Sequence, residues 1–402
     1  MNILQGKHKA ILTCWKKITK IVIGGTISII FLIQIISGCS SMGSDLEDKR
    51  IKKYSTSNNY DVKNEKFVNR KSGIIEKMTK ENMSVSVILD FLKKRKGSAP
   101  DRLLPQLKPN MENFLKPSKD LKTIWFGHSS FLLNMDGIII LVDPVFSGAA
   151  APVKFLVRRF QAPALSLEEL PEIDYVLISH DHYDHLDMDS IKFFRDKNTQ
   201  FITPLGVGAH LEGWGIEPKR IIEKDWWEET SLEKIKFIAT PAQHFSGRGL
   251  FDRNCTLWAS WVIQSENNNI YFSGDSGYDI HFKNIGAKYG PFDVAFLESG
   301  QYNKNWKQVH MLPTQAAQAY RDLKAKKYFP VHWGMFVLST HTWYDPIKQL
   351  FKISKQHGLN LIVPKLGQIV NLSKDFNNEY WWESRTVILQ QRERKQFVSL
   401  HE

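Results

Sequence analysis

Short apolar runs that end in polar residues recur along the chain from about residue 121 onward. Examples are "IIILVDP", "DYVLIS", "KIKFIATPA", "NIYFSGDSG" and "VAFLES", in which the apolar run gives way to Asp, His or Gly. Such runs predict buried β-strands followed by loops. Helical spacing over Asp189–Asp196, Thr314–Lys324 and Pro346–Gly358 separates some of them. Strands interleaved with helices indicate an α/β architecture, with its polar site residues at strand ends.

The first 38 residues are predicted to be a lipoprotein signal peptide. Five lysines precede the 18-residue apolar run "IVIGGTISIIFLIQIISG", and residues 1–38 contain no acidic residue. This layout is typical of an export signal. The sequence Ile36-Ser37-Gly38-Cys39 resembles a bacterial lipobox, in which the cysteine thiol is acylated. An uncleaved membrane anchor is the alternative. Both interpretations attach the chain to a membrane of the cell envelope, facing the periplasm or the exterior.

The remaining chain divides by composition into three parts. Residues 39–75 are polar and poor in aliphatic side chains, which predicts a disordered tether. Residues 76–120 predict an N-terminal helix, with apolar residues at helical spacing over Ser84–Lys94, and a proline-rich strap. Residues 121–402 hold the recurring strands and are predicted to form the main folded domain.

The net charge leaves several classes of partner open, whereas the cysteine content argues against two kinds of site. The formal net charge is +12, and loss of the five lysines of residues 1–38 leaves +7. This charge suits anionic lipids, phosphate esters or nucleic acids, and selects none of them by itself. The three cysteines, Cys14, Cys39 and Cys255, have no CxxC spacing. Neither a disulfide framework nor a cysteine-rich zinc site is indicated.

The stretch "VLISHDHYDHLD" concentrates metal-binding side chains between a predicted strand and a predicted helix. Its pattern is His180-x-His182-x-Asp184-His185. Residues two apart in an extended turn face the same way, so His180 and His182 can approach one ion while Asp184 and His185 face another. Imidazole and carboxylate ligands without thiolates favour zinc. Further candidate ligands follow later strands, and these are His244, Asp275 and His332.

This ordered set of seven residues resembles the metallo-β-lactamase superfamily. The resemblance implies an αββα sandwich of two mixed β-sheets flanked by helices, and makes residues 121–402 a hydrolase domain. It implies two Zn²⁺ ions, one held by His180, His182 and His244 and the other by Asp184, His185 and His332, with Asp275 bridging. Two cations about 3.5–4 Å apart can lower the pKa of a shared water to near 7.

A closer resemblance, over Leu121 to Pro364, is to the N-acyl-phosphatidylethanolamine phospholipase D group and its lactonase-like relatives. The stretches that carry it include "GHSSFLL", "DPVFS", "DWWEE", "GDSGYD" and "HWGMFVLS". It implies cleavage of phosphodiesters in phospholipids or other small anionic esters. A lactonase or small-ester hydrolase is the alternative, and a metal-stabilised binding lipoprotein without turnover is the second. We expect no nucleic-acid partner, and the sequence does not indicate an oligomeric state.

The resemblance also suggests roles for individual residues. Asp184 would orient the attacking water, and His310 in "QVHMLP" would protonate the leaving alkoxide or else only pack its loop. His128 is expected at the wall of the site. Asp143 in "LVDP" is expected to brace the loop of residues 180–187, here called the metal loop. Glu298 in "FLESGQY" departs from the pattern of the animal enzymes and is expected near the pocket.

Overall fold

We describe the fold from a computed structural model of the chain. It describes residues 41, 43, 48–82, 95–249 and 251–383. The predicted signal peptide, Cys39 and the predicted helix over Ser84–Lys94 lie outside the described residues. Among the residues that are described, no helix combines the length and apolar character needed to cross a bilayer.

The segment predicted to be a tether is ordered over residues 48–75. It begins with helix α1 (Asp48–Tyr54) and a two-stranded ribbon of β1 (Tyr60–Asp61) and β2 (Lys66–Phe67), and helix α2 (Ile74–Asn82) follows. Tyr54, Tyr60 and Phe67 are buried against one another, with ring centroids 5.0–6.2 Å apart. The prediction of a disordered tether from composition does not hold for this part of the chain. Three aromatic rings, spaced among charged residues, bury enough apolar surface by packing on the main domain.

Seven strands form the larger sheet. They are β3 (Lys122–Gly127), β4 (Ser130–Met135), β5 (Ile138–Val142), β6 (Tyr175–Leu177), β7 (Gln200–Pro204), β8 (Ile221–Lys224) and β15 (Ile369–Asn371). Their order is β15-β3-β4-β5-β6-β7-β8. Pairing is antiparallel from β15 to β5 and parallel from β5 to β8.

Six strands form the second sheet. They are β9 (Glu229–Leu232), β10 (Ile235–Thr240), β11 (Ser260–Gln264), β12 (Asn269–Phe272), β13 (Val294–Glu298) and β14 (Tyr328–Val331). Their order is β14-β13-β12-β11-β10-β9, parallel from β14 to β12 and antiparallel beyond. Both sheets are therefore mixed, as the resemblance implied.

The two sheets pack face to face through large apolar side chains. Phe131 of β4 stacks on Phe296 of β13 with ring centroids 4.3 Å apart, and Tyr175 of β6 lies 5.4 Å from Phe237 of β10. Leu132 follows Phe131 in β4, points to the opposite face of the sheet and packs in a second apolar cluster. Strands buried on both faces explain the continuous apolar runs in the sequence.

Helices cover both outer faces of the sandwich. Those after the N-terminal segment are α3 (Met111–Leu115), α4 (Met188–Lys192), α5 (Val207–Gly213), α6 (His281–Lys288), α7 (Pro313–Asp322) and α8 (Asp345–His357). Helix α5 packs on β7 and β8, and α7 packs on β13 and between α6 and α8. The three helices predicted over 189–196, 314–324 and 346–358 are confirmed as α4, α7 and α8, the first of them shorter. The α/β sandwich is confirmed as well.

Candidate metal centre

The seven candidate ligands and Asp143 all follow the carboxyl ends of strands. Asp143 follows β5, the stretch His180–His185 follows β6, His244 follows β10, Asp275 follows β12 and His332 follows β14. The first two come from the seven-stranded sheet and the other three from the six-stranded sheet. The loops of both sheets therefore meet at one end of the sandwich, and the structure brings all seven predicted ligands together there.

One group of convergent side chains consists of His180, His182, His244 and Asp275. His182 Nδ1 lies 2.9 Å from His180 Nε2 and 3.2 Å from His244 Nε2. Asp275 Oδ2 is 3.8 Å from His180 Nε2 and 3.7 Å from His244 Nε2. One ligand atom from each residue lies within 4.8 Å of the others, which is close enough for all four to coordinate one ion.

A second group consists of His128, Asp184, His185 and His332. Asp184 Oδ2 is 2.9 Å from His128 Nε2 and 3.5 Å from His185 Nε2. Asp275 reaches this group too, with Oδ2 at 3.2 Å from His185 Nε2 and Oδ1 at 2.9 Å from His332 Nδ1. The expectation that His128 lies at the site is met by its contact with a candidate ligand.

Among the seven candidate ligands, two buried atoms make no hydrogen bond of good geometry within the described part of the chain, although each lies close to another polar atom of the site. They are His185 Nε2 and Asp275 Oδ1. An unsatisfied buried polar atom costs about 1–3 kcal/mol, so such atoms are rare in folded proteins. Both belong to side chains whose other polar atoms converge on the two groups. The donor set of imidazoles and carboxylates fits divalent cations such as zinc, which would satisfy these atoms.

Asp143 holds the metal loop from below. Its carboxylate accepts hydrogen bonds from Ser179 N at 2.7 Å, Ser179 Oγ at 2.6 Å and His185 Nδ1 at 2.7 Å. With Nδ1 of His185 occupied as a donor, Nε2 is the ring nitrogen that faces the carboxylates of the site. This is how supporting carboxylates orient ligating histidines, and it matches the bracing role expected of Asp143.

Asn69 holds the loop of His244 in a similar way, and no sequence pattern indicated this role. Its side chain donates to the His244 carbonyl at 2.8 Å and accepts from His244 N at 3.0 Å. The His244 ring donates from Nδ1 to the Val309 carbonyl at 3.1 Å, which leaves Nε2 facing the site. Asn69 lies in the segment predicted to be a tether, so no local pattern pointed to it.

Two histidines of the site are held in left-handed backbone conformations. His128 has φ of 52° and His332 has φ of 63°. Such conformations cost about 1–3 kcal/mol each in residues with a side chain. Reciprocal hydrogen bonds maintain them, since His128 N donates to the Trp333 carbonyl and His332 N donates to the His128 carbonyl, both at 3.0 Å. These bonds join a loop of one sheet to a loop of the other.

Most protonation states of the site suit cation binding, and His185 is the exception. Burial would lower the pKa of His185, but the carboxylate of Asp275 outweighs burial and holds that pKa well above its usual value. Burial, together with neighbouring imidazoles, holds the pKa of His180 and that of His244 well below their usual value. Burial would raise the pKa of Asp275, but the imidazoles of His185 and His332 outweigh it and hold that pKa well below its usual range. Neutral imidazoles beside ionised carboxylates are the forms that bind metal ions.

His310 lies at the rim, between the two groups. Its ring is 5.1 Å from that of His244 and stacks on that of His332 at 5.2 Å. His310 Nδ1 is 2.8 Å from Glu298 Oε2, and Glu298 also accepts from Met311 N. Glu298 is fully buried, and one of its carboxylate oxygens lies within 4.8 Å of a ligand atom of Asp275 as well as of His310 and His332, so it contacts the site directly.

Comparison with known proteins gives a family match. The family model described as the beta-lactamase superfamily domain matches residues 139–333. An uncharacterized protein of Mycobacterium tuberculosis is 37% identical over 321 residues, which are 79% of this chain and 85% of that protein. The N-acyl-phosphatidylethanolamine-hydrolyzing phospholipase D 1 of Caenorhabditis elegans is 34% identical over 267 residues, covering 62% of this chain and 75% of that one.

A solved structure supports the fold alone. The isothiocyanate hydrolase from gut bacteria of Delia radicum aligns with a TM-score of 0.51 at 19% identity, and the alignment covers 62% of this chain and 98% of that chain. At this identity the likeness concerns the arrangement of the sheets and helices.

Proposed function

The chain belongs to the beta-lactamase superfamily and is a metal-dependent hydrolase, and on this premise we propose that it binds two Zn²⁺ ions and cleaves phosphodiesters. We propose membrane phospholipids such as N-acyl-phosphatidylethanolamine as substrates, cut in the manner of a phospholipase D. The similarity to the nematode phospholipase D supports this substrate class.

The observation that carries the proposal is the position of Asp275 between the two ligand groups. Its Oδ2 approaches His180 Nε2 of one group at 3.8 Å and His185 Nε2 of the other at 3.2 Å. A carboxylate in this position is suited to bridge two cations. His180, His182 and His244 would hold one ion, and Asp184, His185 and His332 the other.

In the proposed reaction, a water oxygen forms a bond to phosphorus while the bond from phosphorus to the head-group oxygen breaks. When bound, two divalent cations would neutralise the phosphoryl oxygens and lower the pKa of a nearby water. Asp184 accepts a hydrogen bond at Oδ2 from His128. We propose that its other oxygen accepts a hydrogen bond from the attacking water and so orients it.

His310 is proposed to protonate the departing head-group alkoxide. Its Nδ1 is 2.8 Å from Glu298 Oε2, and we propose that Nε2 faces the leaving group. Its ring lies beside one candidate ligand from each group, His244 and His332. Proton transfer to the leaving group typically contributes about 10²–10⁴-fold to rate. The products would be phosphatidic acid and the released head-group alcohol.

We further propose that the protein is a lipoprotein of the cell envelope, anchored through an acylated Cys39. The lipobox-like sequence before Cys39 supports this proposal. Mass spectrometry of the membrane-extracted protein tests it. The expected N-terminus is a lipid-bearing Cys39, and a Cys39→Ser variant should remain an unprocessed precursor. A wild-type chain that begins at Met1 without lipid would contradict the proposal.

Hydrolysis of a bis-aryl phosphodiester by the zinc-loaded protein tests the catalytic proposal. The matched variants are His182→Ala, which removes a ligand, and His357→Ala, which removes an exposed histidine at the end of α8. We expect His182→Ala to abolish turnover and His357→Ala to retain it. Equal rates for all three proteins would exclude this site as the hydrolase centre.

Product analysis separates the candidate substrates. Vesicles of mixed phospholipids that include N-acyl-phosphatidylethanolamine are incubated with the protein, and lipids are analysed by mass spectrometry. Release of phosphatidic acid is the expected result. Turnover of lactones without phosphatidic acid would instead favour the small-ester alternative, and metal binding without turnover of any of these would favour the binding lipoprotein.

A further inference from the structure

The loop of residues 150–158, here called the tip loop, exposes large apolar side chains at the metal end of the molecule. Phe155 is 48% exposed and Leu156 is 47% exposed. The loop is closed by hydrogen bonds at its base, from Ala150 N to the Val157 carbonyl at 3.0 Å and from Arg159 N to the Gly148 carbonyl at 2.9 Å. It is therefore a defined hairpin-like projection with an apolar tip.

Two exposed cations flank the apolar tip. Residues 144–167 contain Lys154, Arg158 and Arg159 and no acidic residue. The Lys154 side chain is 81% exposed and Arg158 is exposed as well. Lys154 lies 3.8 Å from Asp189 Oδ2, but both side chains are largely in solvent, so this pair contributes little. Exposed apolar residues flanked by cations match the interface of a bilayer that contains anionic lipids.

The base of the tip loop is part of the wall of the metal centre. Arg159 donates to the Val145 and Phe126 carbonyls at 2.6 Å each, and its guanidinium lies 5.5 Å from the centroid of the Phe336 ring. The Phe336 ring is in turn 5.2 Å from that of His128. The base of the tip loop thus contacts the metal centre through the side chains of Arg159 and Phe336.

The start of the mature chain enters at the same end. The carbonyl of Ser41 accepts from Arg248 Nη2 at 2.8 Å, and Nη1 of the same guanidinium donates to the Leu186 carbonyl in the metal loop at 2.8 Å. Cys39, the proposed acylation site, precedes Ser41 by two residues in the sequence. The proposed anchor is therefore close in sequence to a residue that lies beside the metal loop.

We propose that the tip loop inserts Phe155 and Leu156 into the interface of an anionic phospholipid bilayer, and so turns the opening of the metal centre toward the membrane. Insertion is an inference from exposure, charge and position. Its use in presenting phospholipids to the site rests on the proposed function.

Photocrosslinking tests insertion without reference to catalysis. Benzoylphenylalanine replaces Phe155 in the full chain, which is bound to vesicles of phosphatidylethanolamine and phosphatidylglycerol and irradiated. The matched control position is Leu115, which is 40% exposed. It lies at the other end of the sheet, since Lys122, the first residue of β3, donates to the neighbouring Phe114 carbonyl. We expect lipid adducts at position 155 at least about ten times more often than at 115. Equal yields would overturn the proposal.

A second pair of variants, Leu156→Glu and Leu115→Glu, tests whether insertion serves the reaction. We expect Leu156→Glu to lower the ratio of vesicle hydrolysis to bis-aryl phosphodiester hydrolysis by about ten-fold, because a charge replaces an apolar contact at the interface. Leu115→Glu should leave this ratio unchanged. A loss of both activities in proportion would mean that the loop only supports the site. If the wild type hydrolyses neither substrate, the proposed function fails, and the crosslinking result still decides insertion.

Discussion

Asn69 and His244 are joined by two hydrogen bonds, of 2.8 Å to the His244 carbonyl and 3.0 Å from the His244 amide. The two residues are 175 positions apart in the chain. A side chain from the N-terminal segment thereby fixes the backbone of a candidate metal ligand. The segment contributes to the site although it lies outside the part of the chain that matches the family model.

We predict that Asn69→Ala weakens zinc binding by about 10-fold, within the range for residues that support metal ligands. The measurement is chelator competition followed by metal analysis. Asn59→Ala is the control, because Asn59 donates to Asp225 Oδ1 at 2.9 Å in the same segment without contacting a ligand. Zinc affinities that are the same in the wild type and both variants would show that Asn69 has no such role.

Asp143→Asn should weaken zinc binding by about 10–100-fold, because the amide no longer fixes the proton on Nδ1 of His185. Asp174→Asn is the matched control. Asp174 Oδ2 accepts from Ile139 N at 2.7 Å near the start of β5, at the opposite end of the sheet. The same assay applies to both variants. A comparable loss in the control would point to a general effect on the sheet.

Glu298→Gln should slow cleavage of a phospholipid about 10–100-fold and affect a bis-aryl phosphodiester much less. An aryl oxide leaves without much help from a proton, whereas a head-group alkoxide needs one, and Glu298 orients the histidine proposed to supply it. Rates for both substrates are compared at equal zinc content. Equal losses for the two substrates would exclude an effect through leaving-group protonation.

Stability should depend on His281 in weak acid. Burial lowers the pKa of His281 to about 3, while an unfolded histidine has a pKa of about 6.5. Below pH 6.5 the unfolded state therefore takes up a proton that the folded state does not. The contribution of this group to the free energy of unfolding falls as the pH drops toward 3, at up to about 1.4 kcal/mol per pH unit.

Urea unfolding at pH 7 and pH 5 checks this prediction. The wild type should lose about 2 kcal/mol more than His281→Gln over that interval. Both proteins share all their other titrating groups, so the difference between them isolates His281. Parallel pH dependences would show that His281 does not titrate as its burial implies.

Much of the fold and of the site could be predicted because their signals are local. Val176 and Leu177 lie in a buried strand, and His180 directly follows it, so a short window contained both the strand and the first ligand. The helices over 313–322 and 345–357 carry regular apolar spacing for the same reason.

The contacts that could not be predicted join distant parts of the chain. Asn69 lies in a polar segment where an asparagine is unremarkable, and only the folded structure sets it against His244. Glu298 ends a buried strand, and its partner His310 is twelve residues away across an irregular loop. The buried aromatic residues Tyr54 and Phe67 are separated by charged residues, so their mutual packing left no periodic pattern.

The candidate ligands come from both halves of the sandwich, with His180 to His185 on one sheet and His244, Asp275 and His332 on the other. Cations bound by these ligands would connect the loops of one sheet to the loops of the other. Their binding free energy would then add to the cohesion of the two halves, and chelation would lower the melting temperature as well as stop turnover. A substitution of one of these side chains would then reduce both stability and activity, because the same atoms would serve both.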